Sequence, residues 1–269
     1  YKFEDDQADS EKSVNAYNTL KDWGMQALIG TTTSTPCTAV VEETHSDNMF
    51  QLTPSATAVD SIQYDNAFRM CFSDPNQGSA SADYIAENKL ATKVAIIYNS
   101  SDTYSSGIYQ TFATEAKAKG LDVVAAEAFT ADNKTDFSVQ IQKAKDAGAE
   151  LVFLPIYYQE ASLILAQANK AGFTPKWFGC DGMDGILDLD GFDASLAEDL
   201  MFLTPFTANA TDEATQKFVA DYKEAFGDTP IQFAADAYDC VYVIKAAAEK
   251  ENVTPDKSCL LYTSPSPRD

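Results

Sequence analysis

Four strand-like runs begin at nearly even intervals through the middle of the chain, and this spacing constrains the fold more than any other feature. The runs are Lys93-Val94-Ala95-Ile96-Ile97-Tyr98, Asp122-Val123-Val124, Glu150-Leu151-Val152-Phe153-Leu154 and Lys176-Trp177-Phe178-Gly179, starting 26 to 29 residues apart. Amphipathic stretches lie between them. Ile108, Phe112 and Ala116 mark one apolar face, and Phe137, Ile141 and Ala144 mark the next. Leu163, Ala166 and Lys170 mark a third, which Ile164 and Leu165 widen. Gly120, Gly148 and Gly172 each fall just past such a stretch, where a helix end needs a left-handed residue. Repeating β-α units of this length predict a parallel sheet with helices on its faces.

The first ninety residues follow the same grammar. A helix over Glu11–Trp23, closed by Gly24, leads into a strand at Ala27–Ile29; a short helix over Pro36–Thr44 precedes a strand at Met49–Leu52. The pattern then breaks twice. Phe68-Arg69-Met70-Cys71-Phe72 reads as a strand running into the polar turn Ser73–Gly78, and a similar break falls at Met201–Thr207. Helices near Asp212–Phe226 and Phe233–Glu249 follow. The two breaks are the expected crossings between lobes. A first, discontinuous lobe would span 1–73 and 206–258, and a second would span 74–205.

The length of 269 residues suits two domains. No apolar run approaches the ~20 residues of a membrane span. Nineteen basic against 41 acidic residues give a net charge of −22, with no basic stripe for a nucleic acid. The chain opens at Tyr1-Lys2-Phe3, in what reads as a strand, without an initiator Met or a signal segment. Its last eleven residues, Cys259–Asp269, resemble the translation of a sequencing adapter and are expected to be a non-native tail. Cys37, Cys71, Cys180 and Cys240 show no CxxC spacing, so neither zinc nor a thioredoxin-type motif is supported. They read as buried free thiols, with a disulfide left open. His45 is the only histidine and is expected at the surface, which disfavours His-based metal or triad chemistry.

Two strand ends run into hydroxyl-rich turns: Ala27-Leu28-Ile29-Gly30-Thr31-Thr32-Thr33-Ser34 and Phe50-Gln51-Leu52-Thr53-Pro54-Ser55-Ala56-Thr57. At the carboxyl edge of a parallel sheet, small hydroxyl residues leave room for a ligand and offer it hydrogen bonds. A helix starting after Ser34 would add free N–H groups that favour an anion. Any one of these residues alone reads equally as a cap or turn former; their convergence argues for a small carboxylate.

These pieces resemble the type I periplasmic-binding-protein family, in its leucine/isoleucine/valine-binding branch of amino-acid ABC transporters. The likeness covers nearly all of Tyr1–Glu249. It is carried by Ile29-Gly30 with the Thr/Ser turn, by Thr53-Pro54-Ser55-Ala56-Thr57, and by Phe68-Arg69 with Asp74 and Gln77-Gly78. Tyr104 ahead of Gly107, and Gly179-Cys180-Asp181-Gly182, complete it. The resemblance implies a two-lobed α/β fold, each lobe a parallel sheet flanked by helices, with a free amino acid in the cleft between lobes. It implies Ser34 and Thr57 as hydroxyl donors to the ligand α-carboxylate, the Ser55 carbonyl as acceptor for the α-ammonium, and Ala56 as the floor. Asp181 would be the acidic partner of the ammonium, with Tyr104 and Tyr157 closing over the ligand. A zwitterion needs donors at one end and a carboxylate at the other, and charge-assisted hydrogen bonds supply both.

Each residue also has a plainer reading. Tyr157 suits rim packing, and Asp181 belongs to an acidic stretch with Asp184, Asp188, Asp190 and Asp193, so a solvated or calcium-binding loop competes, although the spacing is not that of an EF-hand. Three departures from the family pattern stand out. A first-lobe disulfide common in Gram-negative members would fall on Ala8 and Thr33, so it is absent. The first β-α unit is missing from the fragment. The anchor is Asp181 where branched-chain binders use the longer Glu.

The expected function is that of an extracytoplasmic solute-binding protein, periplasmic or lipid-anchored. It would be a monomer without cofactor or metal that closes on an amino acid and delivers it to an ABC permease. A ligand-sensing domain of the same fold is the nearest rival, decided by flanking sequence. An α/β enzyme is the second, disfavoured by the lack of GxGxxG after a strand, a Walker A loop or a GxSxG elbow.

Overall fold

The structure, a computed structural model, describes residues 1–251. The segment 259–269 read as a non-native tail, and the stretch 252–258 assigned to the first lobe, lie outside the described residues. The chain divides into two compact units, Asp74–Pro205 and Tyr1–Ser73 with the chain from Phe206 onward.

In the unit Asp74–Pro205, five parallel strands stand in the order β5-β4-β6-β7-β8: β4 (Lys93–Asn99), β5 (Asp122–Phe129), β6 (Leu151–Leu154), β7 (Lys176–Gly179) and β8 (Leu200–Phe202). Alternation along the strands sorts the core into two layers. Val94, Ile96, Leu151, Phe153 and Phe178 pack against α3 (Asp74–Glu87) and α4 (Thr103–Ala118) through Ile85, Ile108, Phe112 and Ala116. Ala95, Ile97, Val152 and Leu154 face α5 (Ser138–Asp146) and α6 (Tyr158–Lys170) through Ile141, Ala144, Ile164 and Leu165. Strand β6 is buried along its whole length, as expected of a central parallel strand covered on both faces.

Two readings of this unit change. On α6 the buried stripe is Ala161, Ile164, Leu165 and Ala168, whereas Leu163, Ala166 and Lys170 point to solvent. The sheet buries the wider i, i+3, i+4, i+7 set and leaves the narrower one out. Strand β5 runs on to Phe129, because an edge strand with mixed exposure carries a weak apolar signature. Gly120, Gly148 and Gly172 hold φ of +75°, +70° and +64°, as their positions after the helices require.

From β4 the chain passes to β5 on one side, then returns to β6 on the other. The carboxyl ends of β4 and β6 therefore flank the switch point where open α/β sheets take ligands.

The second unit carries a three-stranded parallel sheet, β1 (Ala27–Ile29), β2 (Phe50–Thr53) and β3 (Ala67–Arg69). Leu28 packs with Tyr17 of α1 (Ser10–Trp23) and with Val40 of α2 (Ser34–Ser46). Phe50 and Leu52 face the opposite way, onto Cys240 and Ile244 of α8 (Gln232–Glu251). Helix α7 (Glu213–Phe226) joins α8 through Phe218, Val219 and Ala235. Cys37, Cys71, Cys180 and Cys240 are all free thiols; Cys71 is only partly buried. His45 is exposed and stacks on Tyr64 at 3.9 Å.

The strand expected at Tyr1 is absent. Backbone N–H groups of Gln7 and Ala8 donate to the carboxylates of Asp5 and Asp6 at 2.9 Å, and this local bonding turns the chain before α1. Strand β3 stops at Arg69 rather than reaching Phe72, because its partner β2 ends at Thr53 and Pro54 carries the chain away.

Gly78 shows how closely α3 and α4 approach. A Cβ placed there would stand 2.7 Å from the Ile108 carbonyl oxygen and 2.8 Å from the Phe112 nitrogen. Alanine in a helix interior ordinarily gains ~1 kcal/mol over glycine. Here the clash is with backbone that moves only if the helices separate, and overpacking of that kind costs about 1–3 kcal/mol. Gly78→Ala is therefore expected to lower the melting temperature. A rise would mean that the helices have slack.

Candidate functional site

In the unit Asp74–Pro205, three segments leave the carboxyl edge of the sheet carrying expected site residues. Tyr104 follows β4 in the first turn of α4, whose N-cap Asp102 accepts from the Ser105 N–H. Tyr157 follows β6 as the N-cap of α6. Asp181 follows β7 in a short 3-10 turn.

These residues meet. The Tyr104 hydroxyl donates to Asp181 Oδ1 at 2.8 Å and accepts from the Gly182 N–H at 2.9 Å. The Tyr104 and Tyr157 rings stack with centroids 4.7 Å apart. The Asp181 N–H donates to Gln77 Oε1 at 3.1 Å, which ties the turn to α3. Any side chain at residue 182 would crowd this arrangement, since a Cβ there would stand 2.8 Å from the Tyr104 hydroxyl and 3.0 Å from the Ile156 carbonyl oxygen.

Tyr104 is buried and spends its hydroxyl on Asp181, which makes it a support for the carboxylate. Tyr157 is half-buried. Asp181 is also set apart from its acidic neighbours: it is 3% exposed, while Asp188, Asp190 and Asp193 face solvent. Burial pushes the Asp181 carboxyl up to about 6, even though hydrogen bonds from Tyr104 and its neighbours pull the other way. Burial, and then the Asp181 charge, hold the Tyr104 hydroxyl well above its ordinary range, so it stays a donor.

In the other unit, the turns after β1 and β2 come together. Ser34 is the first residue of α2, and its Oγ accepts from the N–H groups of Thr57 and Ala58, both at 3.1 Å. Having accepted two bonds, this hydroxyl keeps its own hydrogen to donate. Thr57 is fully buried, and its Oγ1 has no hydrogen-bond partner among the described residues. A buried polar atom left unpaired costs ~1–3 kcal/mol unless something meets it. Ala56 is buried, with its N–H donating to Thr53 Oγ1 at 3.0 Å. Ser55 turns its hydroxyl onto Asp236 Oδ2 at 2.8 Å, which leaves its carbonyl as the remaining group for a ligand. The unit thus offers hydroxyl donors at the start of a helix, which is chemistry for an anion. The unit Asp74–Pro205 offers a buried carboxylate beside aromatic rings, which is chemistry for a cation.

Three residues that support these groups were given no role by the sequence reading. Gln77 lies three residues after Asp74 on the buried face of α3, a periodicity visible in the sequence. Arg69 donates from Nη1 to the carbonyls of Thr57 and Ala58 at 2.9 and 3.1 Å. Asp236 is 181 residues from Ser55, and no local pattern could have joined them.

The chain matches the family described as periplasmic binding protein over residues 1–262. The Leu/Ile/Val-binding protein homolog 3 of Brucella melitensis is 28% identical over 264 residues, which is 96% of this chain and 70% of that protein. Two solved structures share the architecture at a TM-score of 0.87, each covering 96% of this chain and 73% of its own. One is the leucine binding protein LivK from Thermotoga maritima, 27% identical. The other is the branched-chain amino acid transporter substrate binding protein LivJ from Streptococcus pneumoniae in complex with isoleucine, 26% identical.

The Asp181 environment sets a pH dependence of known sign. Its folded-state value of about 6 lies above the ordinary 3.8, so between these values the folded protein binds more protons than the unfolded chain. Stability then falls as pH rises through that window, by on the order of 3 kcal/mol once both states are ionised. Asp181→Asn keeps an acceptor for Tyr104 and removes the charge. The unliganded variant is expected to melt higher than the parent at pH 7.5 and at the same temperature near pH 4. Thermal denaturation at the two pH values checks this, and an equal offset at both would contradict it.

Proposed function

The chain belongs to the periplasmic binding protein family that matches residues 1–262, and we propose that it captures a free amino acid, of branched-chain or related type, for an ABC importer. The family is one of binding proteins without catalysis, and we read this chain as a non-enzymatic member. The observation that carries the reading is the buried Asp181 carboxylate, held by Tyr104 at the carboxyl end of a parallel sheet. Burial disfavours the charged form of Asp181, and a ligand ammonium is a group that would favour it.

The opposite end of a zwitterion asks for donors, and Ser34 with Thr57 supplies them in the other unit. Ser55 contributes its carbonyl to the ammonium, and Ala56 leaves room for the ligand. Tyr157 packs over the ligand, and Tyr104 acts through Asp181. Each unit thus carries chemistry suited to one end of an amino acid, and capture by closure, with the closed form accepted by a membrane permease, is the expected mode of action. The protein works outside the cytoplasm as a monomer, free or lipid-anchored.

The test is a thermal-shift screen against the twenty amino acids and against organic acids lacking the amine. A ligand at 100 times its Kd adds about 2.7 kcal/mol to folded-state stability. One chemical group of amino acids is expected to raise the melting temperature, and Asp181→Ala is expected to abolish that shift. A shift by the acids alone would reject Asp181 as the ammonium anchor. Because the ammonium favours the charged carboxylate, affinity is also expected to fall as pH drops below about 6, by at most tenfold per unit. Calorimetry at pH 7.5 and 5 measures this.

A further inference from the structure

We propose that Arg69 is a positioning residue for ligand capture: it fixes the Thr57–Ala58 turn and supplies the positive charge behind the donors that hold a ligand carboxylate. The inference rests on the amino-acid reading given above. Its ground is the way these two residues are tied down. Arg69 Nη1 donates to the carbonyl oxygens of Thr57 and Ala58 at 2.9 and 3.1 Å. The N–H groups of the same two residues donate to Ser34 Oγ, each at 3.1 Å. Both polar groups of two successive residues are therefore engaged, by a cation on one side and by a candidate ligand hydroxyl on the other. Thr57 Oγ1 on the same turn is buried and has no partner among the described residues.

Residue choice supports the assignment. Of nineteen basic residues only Arg69 and Arg268 are arginines, so the chain elsewhere meets its need for positive charge with lysine. A planar guanidinium fits two adjacent carbonyls and stays charged when partly buried; a lysine ammonium is a compact charge that is harder to desolvate. Charge matters here because the chain carries −22 overall, and its field opposes an incoming carboxylate. A fixed cation next to the turn offsets that field where the anion must bind.

A staple that merely holds the loop would act through shape alone, and the two roles separate experimentally. Arg69→Gln keeps a donor for the carbonyls and removes the charge; Arg69→Lys keeps the charge and loses the planar guanidinium, whose Nη1 reaches both carbonyls. Both variants and the parent are titrated calorimetrically with the free amino acids that shift the parent, and their melting temperatures are recorded without ligand. Arg69→Gln is expected to bind about tenfold more weakly, the scale of one nearby charge, while Arg69→Lys stays within about threefold of the parent. Affinities that follow the melting temperatures regardless of charge would overturn the proposal, as would unchanged binding by Arg69→Gln. If the parent binds none of the twenty amino acids, the functional reading fails first and this inference falls with it.

Discussion

Every strand pairing in the described residues is parallel, and the rest of the arrangement depends on that constraint. Parallel strands cannot be joined by tight turns, so each is followed by a helix, and all strand ends of one sheet fall on one edge. That edge is where backbone groups at helix starts are unpaired and where small differences in loop sequence carry chemistry. In the unit Asp74–Pro205 the strand order reverses between β4 and β6, and Tyr104, Tyr157 and Asp181 all come from strand ends at or beside that reversal. In the other unit Ser34 and Thr57 follow adjacent strands and are joined by hydrogen bonds. Neither group is assembled by sequence proximity; the sheets bring them together.

The two groups differ in electrostatic design. Around Asp181, desolvation outweighs the bonds that favour ionisation, so the carboxyl rises to about 6 and is poised near neutrality. Around Thr57 the backbone is bonded by the Ser34 hydroxyl and the Arg69 guanidinium. Each unit thus carries chemistry suited to one sign of charge. Asp236, which accepts from the Ser55 hydroxyl, keeps that side chain turned away and so holds the Ser55 peptide in place.

Much of this fold was legible because apolar periodicity and glycine placement report on packing that is local. The runs at Lys93 and Lys176, the stripe of Ile108, Phe112 and Ala116, and the glycines past three helices all stand where their spacing put them. Periodicity failed where two apolar stripes of similar strength competed. On α6 the choice between Leu163 and Ile164 is made by the sheet, which a helical pattern alone does not contain. It failed again at Tyr1–Asp6, where aspartates bond the following backbone and override an extended reading. Of the site, the residue types and strand ends were legible through a family likeness, but their partners were not. Nothing local in the sequence joins Tyr104 to Asp181 or Ser55 to Asp236, because the partners lie 77 and 181 residues apart and meet only once the chain has folded.

Two buried polar groups, one in each unit, are held in place by their neighbours. Burial disfavours the charged form of Asp181, and the Thr57 hydroxyl has no partner among the described residues. Neither can be relieved by local repacking, since Tyr104, Gln77 and Gly182 fix the first, while Ser34 and Arg69 fix the second. A ligand shifts a conformational equilibrium only by the difference in its interaction with the two states. Groups already held in place by their neighbours add to such a difference without first having to be ordered.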